Sequence, residues 1–104
     1  MSPLNITPRE ATAGPVLEII GDLDYSNATR LRELLLTLTL RPGQRLVLDL
    51  AGLTFCDFSG ITALIAARSH AHAAEADIAL AAVPAHTLRI LRLVGLDQIF
   101  VLDP

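Results

Sequence analysis

Leu48-Asp49-Leu50-Ala51-Gly52-Leu53-Thr54-Phe55-Cys56-Asp57-Phe58-Ser59-Gly60-Ile61-Thr62-Ala63-Leu64 reads as a buried strand, a short loop and a polar Asp-x-Ser-Gly corner that opens into an apolar helix. A strand that leads into a helix is the building unit of an α/β sheet. The corner sets the Ser59 hydroxyl at a helix N-terminus, where free backbone N–H groups and the helix dipole favour a phosphate. No other stretch gathers polar chemistry at so defined a position.

At the N-terminus, Leu4 and Ile6 alternate with Asn5 and Thr7 as in a half-buried edge strand. Pro8 to Gly14 reads as a polar connection and Pro15–Ile20 as a second strand. So short a link implies antiparallel pairing, because a parallel return needs a longer crossover. The stretch from Gly21 to Asn27 turns the chain, with Asp24, Ser26 or Asn27 as the cap of the next helix. In that helix Leu31, Leu34, Leu35 and Leu38 form one apolar face, with Arg30, Arg32 and Glu33 on the other side. Arg41-Pro42-Gly43-Gln44 stops it, and the apolar run from Arg45 to Leu50 follows as an interior strand.

The second helix is expected from Gly60 to about Ala74, with Ile61, Leu64 and Ile65 inward and alanines allowing close packing. A strand over Ile78–Val83 follows. Pro84 then starts a third helix with Leu88, Leu91 and Val94 inward, Arg89 and Arg92 outward, and Gly95 just past its end. Ile99-Phe100-Val101 reads as the last strand. The order β-β-α-β-α-β-α-β predicts an α/β domain: a mixed, mostly parallel sheet covered by helices, with one antiparallel edge pair.

Composition bounds the function. The 104 residues suit one domain spanning 1–104. The hydrophobic fraction is 52% and the mean hydropathy +0.51, which demands a well-covered sheet or a partner-facing surface. Polar residues interrupt every apolar stretch before the roughly 18 residues a membrane span needs, and no secretory signal is visible. A net charge of −3, with scattered arginines, argues against nucleic acid. One cysteine, Cys56, excludes an internal disulfide and a cysteine-based zinc site. A cytoplasmic location is expected.

Two readings of Ser59 stand side by side. In one, Asp57 and Ser59 cap the helix; in the other, Ser59 is phosphorylated and the added charge of about −1.5 to −2 alters a partner's recognition. Asp22 and Asp24 follow the second strand, and Asp49 ends the third. Loops at the C-terminal edge of a parallel sheet gather, so all three acids are expected near the corner. His70, His72 and His86 read as solvated. No Gly-x-Ser-x-Gly elbow, P-loop or His-Glu-x-x-His pattern occurs, so no enzyme, metal or cofactor is expected.

With these residues in view, the chain resembles a STAS domain, specifically the bacterial anti-sigma factor antagonist family. The likeness rests on Leu48 to Gly60, on Gly21-Asp22-Leu23-Asp24 (the family's Gly-Glu-Leu-Asp turn) and on Val94-Gly95-Leu96-Asp97-Gln98-Ile99-Phe100. It implies a partner switch in transcription regulation and stress response. The unphosphorylated antagonist binds an anti-sigma factor that is also a serine kinase of the histidine-kinase-like ATPase class, freeing a sigma factor. That kinase then phosphorylates the serine before the glycine, here Ser59, and a phosphatase restores binding. The resemblance makes Asp24 the family's acidic residue close to the phosphorylation site. Asp57, Phe58, Ser59, Gly60 and Thr62 fall in the implied partner surface.

Three departures from the family pattern matter. Phe58 stands where serine or threonine is usual, Thr62 replaces a common glycine, and the chain stops at Pro104 where many relatives add a helix. The last makes a homodimer an expectation. Two alternative functions follow: a STAS scaffold that is never phosphorylated, and a nucleotide-sensing STAS domain.

Overall fold

The computed structural model describes residues 2–103; Met1 and Pro104, the ends of the expected domain, lie outside the described residues. Strands β1 (Asn5–Ala11) and β2 (Gly14–Leu23) pair antiparallel, from Asn5 opposite Ile20 to Ala11 opposite Gly14. The connection expected over Pro8–Gly14 is therefore mostly strand. Pro8 is tolerated because β1 is an edge strand, where one side of the backbone needs no ladder bonds. β2 also runs three residues past Ile20, absorbing Gly21-Asp22-Leu23.

Helix α1 (Ala28–Thr37) crosses to β3 (Arg45–Asp49), and after three residues comes β4 (Leu53–Cys56). Between Ala51 and Cys56 the sequence predicts loop, not strand. Thr54 and Phe55 are both exposed, so four residues carry no alternation to betray a strand. Helix α2 (Phe58–Ala73), β5 (Asp77–Ala81), α3 (Ala85–Leu93), a 3₁₀ turn at Leu96–Gln98 and β6 (Val101–Asp103) complete the fold. The last strand lies two residues later than expected, and Phe100 is buried ahead of it.

The sheet runs β1-β2-β3-β5-β6, all parallel after the first pair. β3 pairs with the first half of β2 and β4 with its far end, so two successive strands share one neighbour. The strand order advances in one direction, and right-handed crossovers then stack all three helices on one face. On that face Leu17, Leu48 and Leu80 are opposite one another and fully buried. Each such leucine contributes about 1.5–3 kcal/mol. The other face carries the ion pairs Arg9–Glu18 and Arg45–Asp103 and is solvated. The helix cover expected for the sheet is thus one-sided.

Core packing follows the apolar faces. Leu31 and Leu35 of α1 are buried, with Leu34 and Leu38 packed against the core. In α2 the small residues Ala63, Ala67 and Ala71, spaced by four, are fully buried and bring the helix close to the sheet. α3 buries Thr87 and Leu91 instead of Val94, which is exposed.

Candidate functional site

The corner forms where β2 and β4 end side by side. Leu23 is opposite Cys56, and the Leu23 carbonyl accepts the N–H of Asp57 at 3.3 Å. From this shared edge one strand leads to α1 and the other to α2. Asp57 is the N-cap of α2: its Oδ1 accepts the Gly60 N–H at 3.0 Å, and its Oδ2 accepts the Tyr25 N–H at 3.1 Å. One carboxylate thus satisfies an orphan helix donor and ties the entry of α1 to the start of α2.

Gly60, which the resemblance places in the partner surface, is instead buried beneath the corner. A Cβ there would lie 2.6 Å from both Cys56 Sγ and the Leu23 carbonyl oxygen, so only glycine lets α2 start this close to the strands. Cys56 is itself buried; burial first, and the neighbouring Asp57 charge second, push its thiol pKa up to about 12. It acts as a small hydrophobe.

Ser59 is half-buried, and among the described residues no hydrogen bond engages its hydroxyl. With Tyr25, Ala28, Thr29, Arg32 and Thr62 it lines a groove of about 250 Å³ between the first turns of α1 and α2. Thr62 Oγ1 donates to the Phe58 carbonyl at 2.8 Å, so the residue replacing the family's glycine is bound within its own helix.

The acids expected around Ser59 separate into three roles. Asp24 stays at the corner and organises its turn. Its Oδ1 accepts both the backbone N–H of Ser26 at 2.9 Å and the Ser26 hydroxyl at 2.6 Å. Its carbonyl accepts the N–H groups of Asn27 and Ala28. Asn27 is the N-cap of α1, but its side chain holds this turn, accepting from Asp24 N–H and donating to the Asp22 carbonyl.

Asp22 is committed to the β2–β4 register shift. Its Oδ1 accepts the Thr54 hydroxyl at 2.7 Å and its Oδ2 the Ser2 N–H at 3.1 Å. The Thr54 bond, then the Ser2 bond, lowers its pKa.

Asp49 is not brought to the corner. It pairs in register with Glu18, five residues before Leu23 on β2, which at about 3.3 Å per residue is about 16 Å short of the corner. The intervening β4 is what displaces it, and its carboxylate turns back to the Ala51 N–H. His86 is exposed, as the solvated reading expects, with Nε2 3.4 Å from the Leu53 carbonyl oxygen of β4.

Tyr25 is a site residue that no sequence motif marks. The chain has four aromatic residues. Phe100 is in the core, whereas Tyr25 is 86% exposed, Phe58 68% and Phe55 50%. Tyr25 lines a groove with Ser59, and Phe58 precedes Ser59 in the chain, whereas Phe55 is opposite Asp22 on β4, one residue from buried Cys56 and so on the other face of the sheet. The scarcity of aromatics was the available signal.

No helix among the described residues is long and apolar enough to cross a membrane. No curated protein matches the sequence. Among solved structures, an anti-sigma factor antagonist from Mycobacterium paratuberculosis is similar over 98% of this chain and 86% of its own, with 22% identity and a TM-score of 0.84. The anti-sigma factor antagonist SpoIIAA in its unphosphorylated form is similar over 96% of this chain and 89% of its own, at 14% identity and a TM-score of 0.77. A sulfate transporter family protein from Wolinella succinogenes matches 85% of this chain and 75% of its own, at 21% identity and a TM-score of 0.72. At such identities these likenesses speak for the fold. The family described as Mlab, STAS domain matches residues 6–103, which takes in the sheet, all three helices and the Asp57–Gly60 corner. The chain belongs to the STAS domain family.

Proposed function

We propose that this STAS domain is an anti-sigma factor antagonist whose aromatic corner binds an anti-sigma factor, and that phosphorylation of Ser59 releases that partner. The observation that carries the reading is a half-buried serine with an uncommitted hydroxyl that shares a groove with exposed Tyr25 and follows exposed Phe58 in the chain. Exposed aromatics are costly in isolation and are the residues that anchor interfaces. The structural likeness to two anti-sigma factor antagonists supports the same reading.

The partner would be a serine kinase of the histidine-kinase-like ATPase class. It passes the γ-phosphoryl group of ATP to Ser59 Oγ, leaving ADP and a proton. A phosphate at the corner brings about −1.5 to −2 charges beside Asp24 and Asp57, at the centre of an apolar contact. Desolvating that charge opposes binding, while the N-terminus of α2 tolerates it, so the fold survives and the complex does not. The chain is then a substrate and a binding module, with a phosphatase resetting it. Incubation with the cognate kinase and ATP, followed by intact mass, tests the assignment. One phosphate is expected, absent in Ser59→Ala; no phosphate, or one that survives that substitution, overturns it.

A second reading is a scaffold STAS domain that assembles with itself or with a membrane or signalling protein and is never phosphorylated. Two sulfate-transporter relatives in the fold support it, one of them the STAS domain of a SulP transporter from Vibrio cholerae. A stable oligomer by light scattering that ignores Ser59→Asp would favour it.

A further inference from the structure

Arg32 has no protein partner among the described residues. Arg9 and Arg45 pair with Glu18 and Asp103, while Arg30 and Arg68 donate to the carbonyls of Leu4 and Ile99. Arg32 does neither, yet it lines the groove that Ser59 lines.

The groove is made by two facing stripes. Tyr25, Ala28, Thr29 and Arg32 follow one another at helical spacing into α1, and Ser59 and Thr62 face them from the first turn of α2. Arg32 also lines the next groove along, with Leu35, Leu36, Ala66 and His70. It therefore sits between the two cavities, with its guanidinium free to turn towards either.

We propose that Arg32 is the intramolecular receptor for a phosphate on Ser59; this rests on Ser59 being the modified residue. A guanidinium matches a phosphate with two parallel N–H donors. The neighbouring acids act in the same direction. Asp57 caps α2 and Asp24 holds the adjoining turn, neither lines the groove, and repulsion from both favours a phosphate turned into the groove towards the arginine. The modified serine then fills a groove that is open in the unmodified protein, joins α1 to α2 and removes Arg32 from any acidic group of a partner. The switch would act by occupying a receptor as well as by repulsion.

The test needs no kinase. Phosphoserine is incorporated at position 59 during translation, and its monoanion-to-dianion transition is followed by phosphorus NMR in the parent, Arg32→Gln, Arg32→Lys and Arg89→Gln proteins. Arg89 lies on α3, away from the groove. The His70 imidazole lines the neighbouring groove together with Arg32, so the series is repeated with His70→Gln. Arg32 is expected to lower the transition by about 0.5 in pH or more relative to Arg32→Gln, with Arg32→Lys between and Arg89→Gln unchanged. Equal transitions in the parent and Arg32→Gln, or an equal change in Arg89→Gln, overturn the proposal. Because phosphate is supplied by translation, the result stands whether or not a kinase modifies Ser59. Conversely, a kinase that modifies Ser59 with no effect of Arg32 sinks only this proposal.

Discussion

The backbone N–H of Tyr25 donates to Asp57 Oδ2 at 3.1 Å across a sequence gap of 32 residues. The other oxygen of that carboxylate caps α2 through Gly60. Asp57 therefore does more than an ordinary N-cap, because it fixes the relative position of two helices and of the exposed ring at Tyr25. Asp57→Ala is expected to cost about 1–2 kcal/mol in urea unfolding, at the upper end for a cap. Asp57→Asn, which keeps one acceptor oxygen, should cost less. An Asp57→Ala midpoint equal to the parent's would refute this role.

Gly60 sits where a methyl group has no room, 2.6 Å from Cys56 Sγ and from the Leu23 carbonyl oxygen. Backbone cannot yield as a flexible side chain does, so Gly60→Ala should destabilise by about 1–3 kcal/mol, despite alanine's better helix propensity. Thr62→Ala, at an exposed position two residues on, should stay within about 0.5 kcal/mol. Equal stability of the two variants would contradict the close approach of α2.

Phe58 and Tyr25 separate binding from folding. Both rings are largely exposed, so Phe58→Ala and Tyr25→Ala should each change stability by no more than about 0.5 kcal/mol. Leu64→Ala, in the core, should cost about 2–5 kcal/mol. If the corner binds an anti-sigma factor as proposed, the affinity of the unphosphorylated protein for that partner, measured by calorimetry, should weaken about tenfold or more with each aromatic removed. Full affinity in both aromatic variants would remove the corner from the interface.

What the residues disclosed, and what they did not, divides along local and tertiary chemistry. The apolar stripe from Leu31 to Leu38 and the alternation of strands with helices were legible because helix and strand periods are local. The cap at Asp57 was legible for the same reason. β4 was not, since its partner is the far end of β2 and its exposed Thr54 and Phe55 erase the alternation. Without β4 in the strand order, Asp49 is expected at a corner that it does not reach. Tyr25 and Arg32 acquire meaning only when α1 packs beside α2 and a groove opens between them.

Cys56 should be chemically silent in the native protein. With its thiol pKa pushed up to about 12, roughly one molecule in ten thousand carries a thiolate at pH 8, before lack of access slows reaction further. A disulfide reagent should therefore react only as the chain unfolds, in step with the loss of circular dichroism in urea. Rapid stoichiometric reaction without denaturant would show that the β4–α2 junction opens.

Asp22 makes stability depend on pH in a defined direction. The Thr54 hydroxyl, foremost, and the Ser2 N–H favour its charged form, so its folded pKa lies below the unfolded value of 3.8. A depressed carboxyl contributes fully above the unfolded value, and the contribution is lost as the pH falls through the folded one. The unfolding midpoint of Asp22→Asn should thus fall below the parent's by a constant margin between about pH 5 and 7, and that margin should shrink below about pH 4. Thr54→Ala removes the larger of the two causes and should reproduce most of the loss at neutral pH. Because the carboxylate is open to solvent, raising the salt concentration should narrow the margin as well. A gap that persists undiminished at about pH 2 would mean that Asp22 acts through the shape of the β2–β4 bulge, with its charge irrelevant.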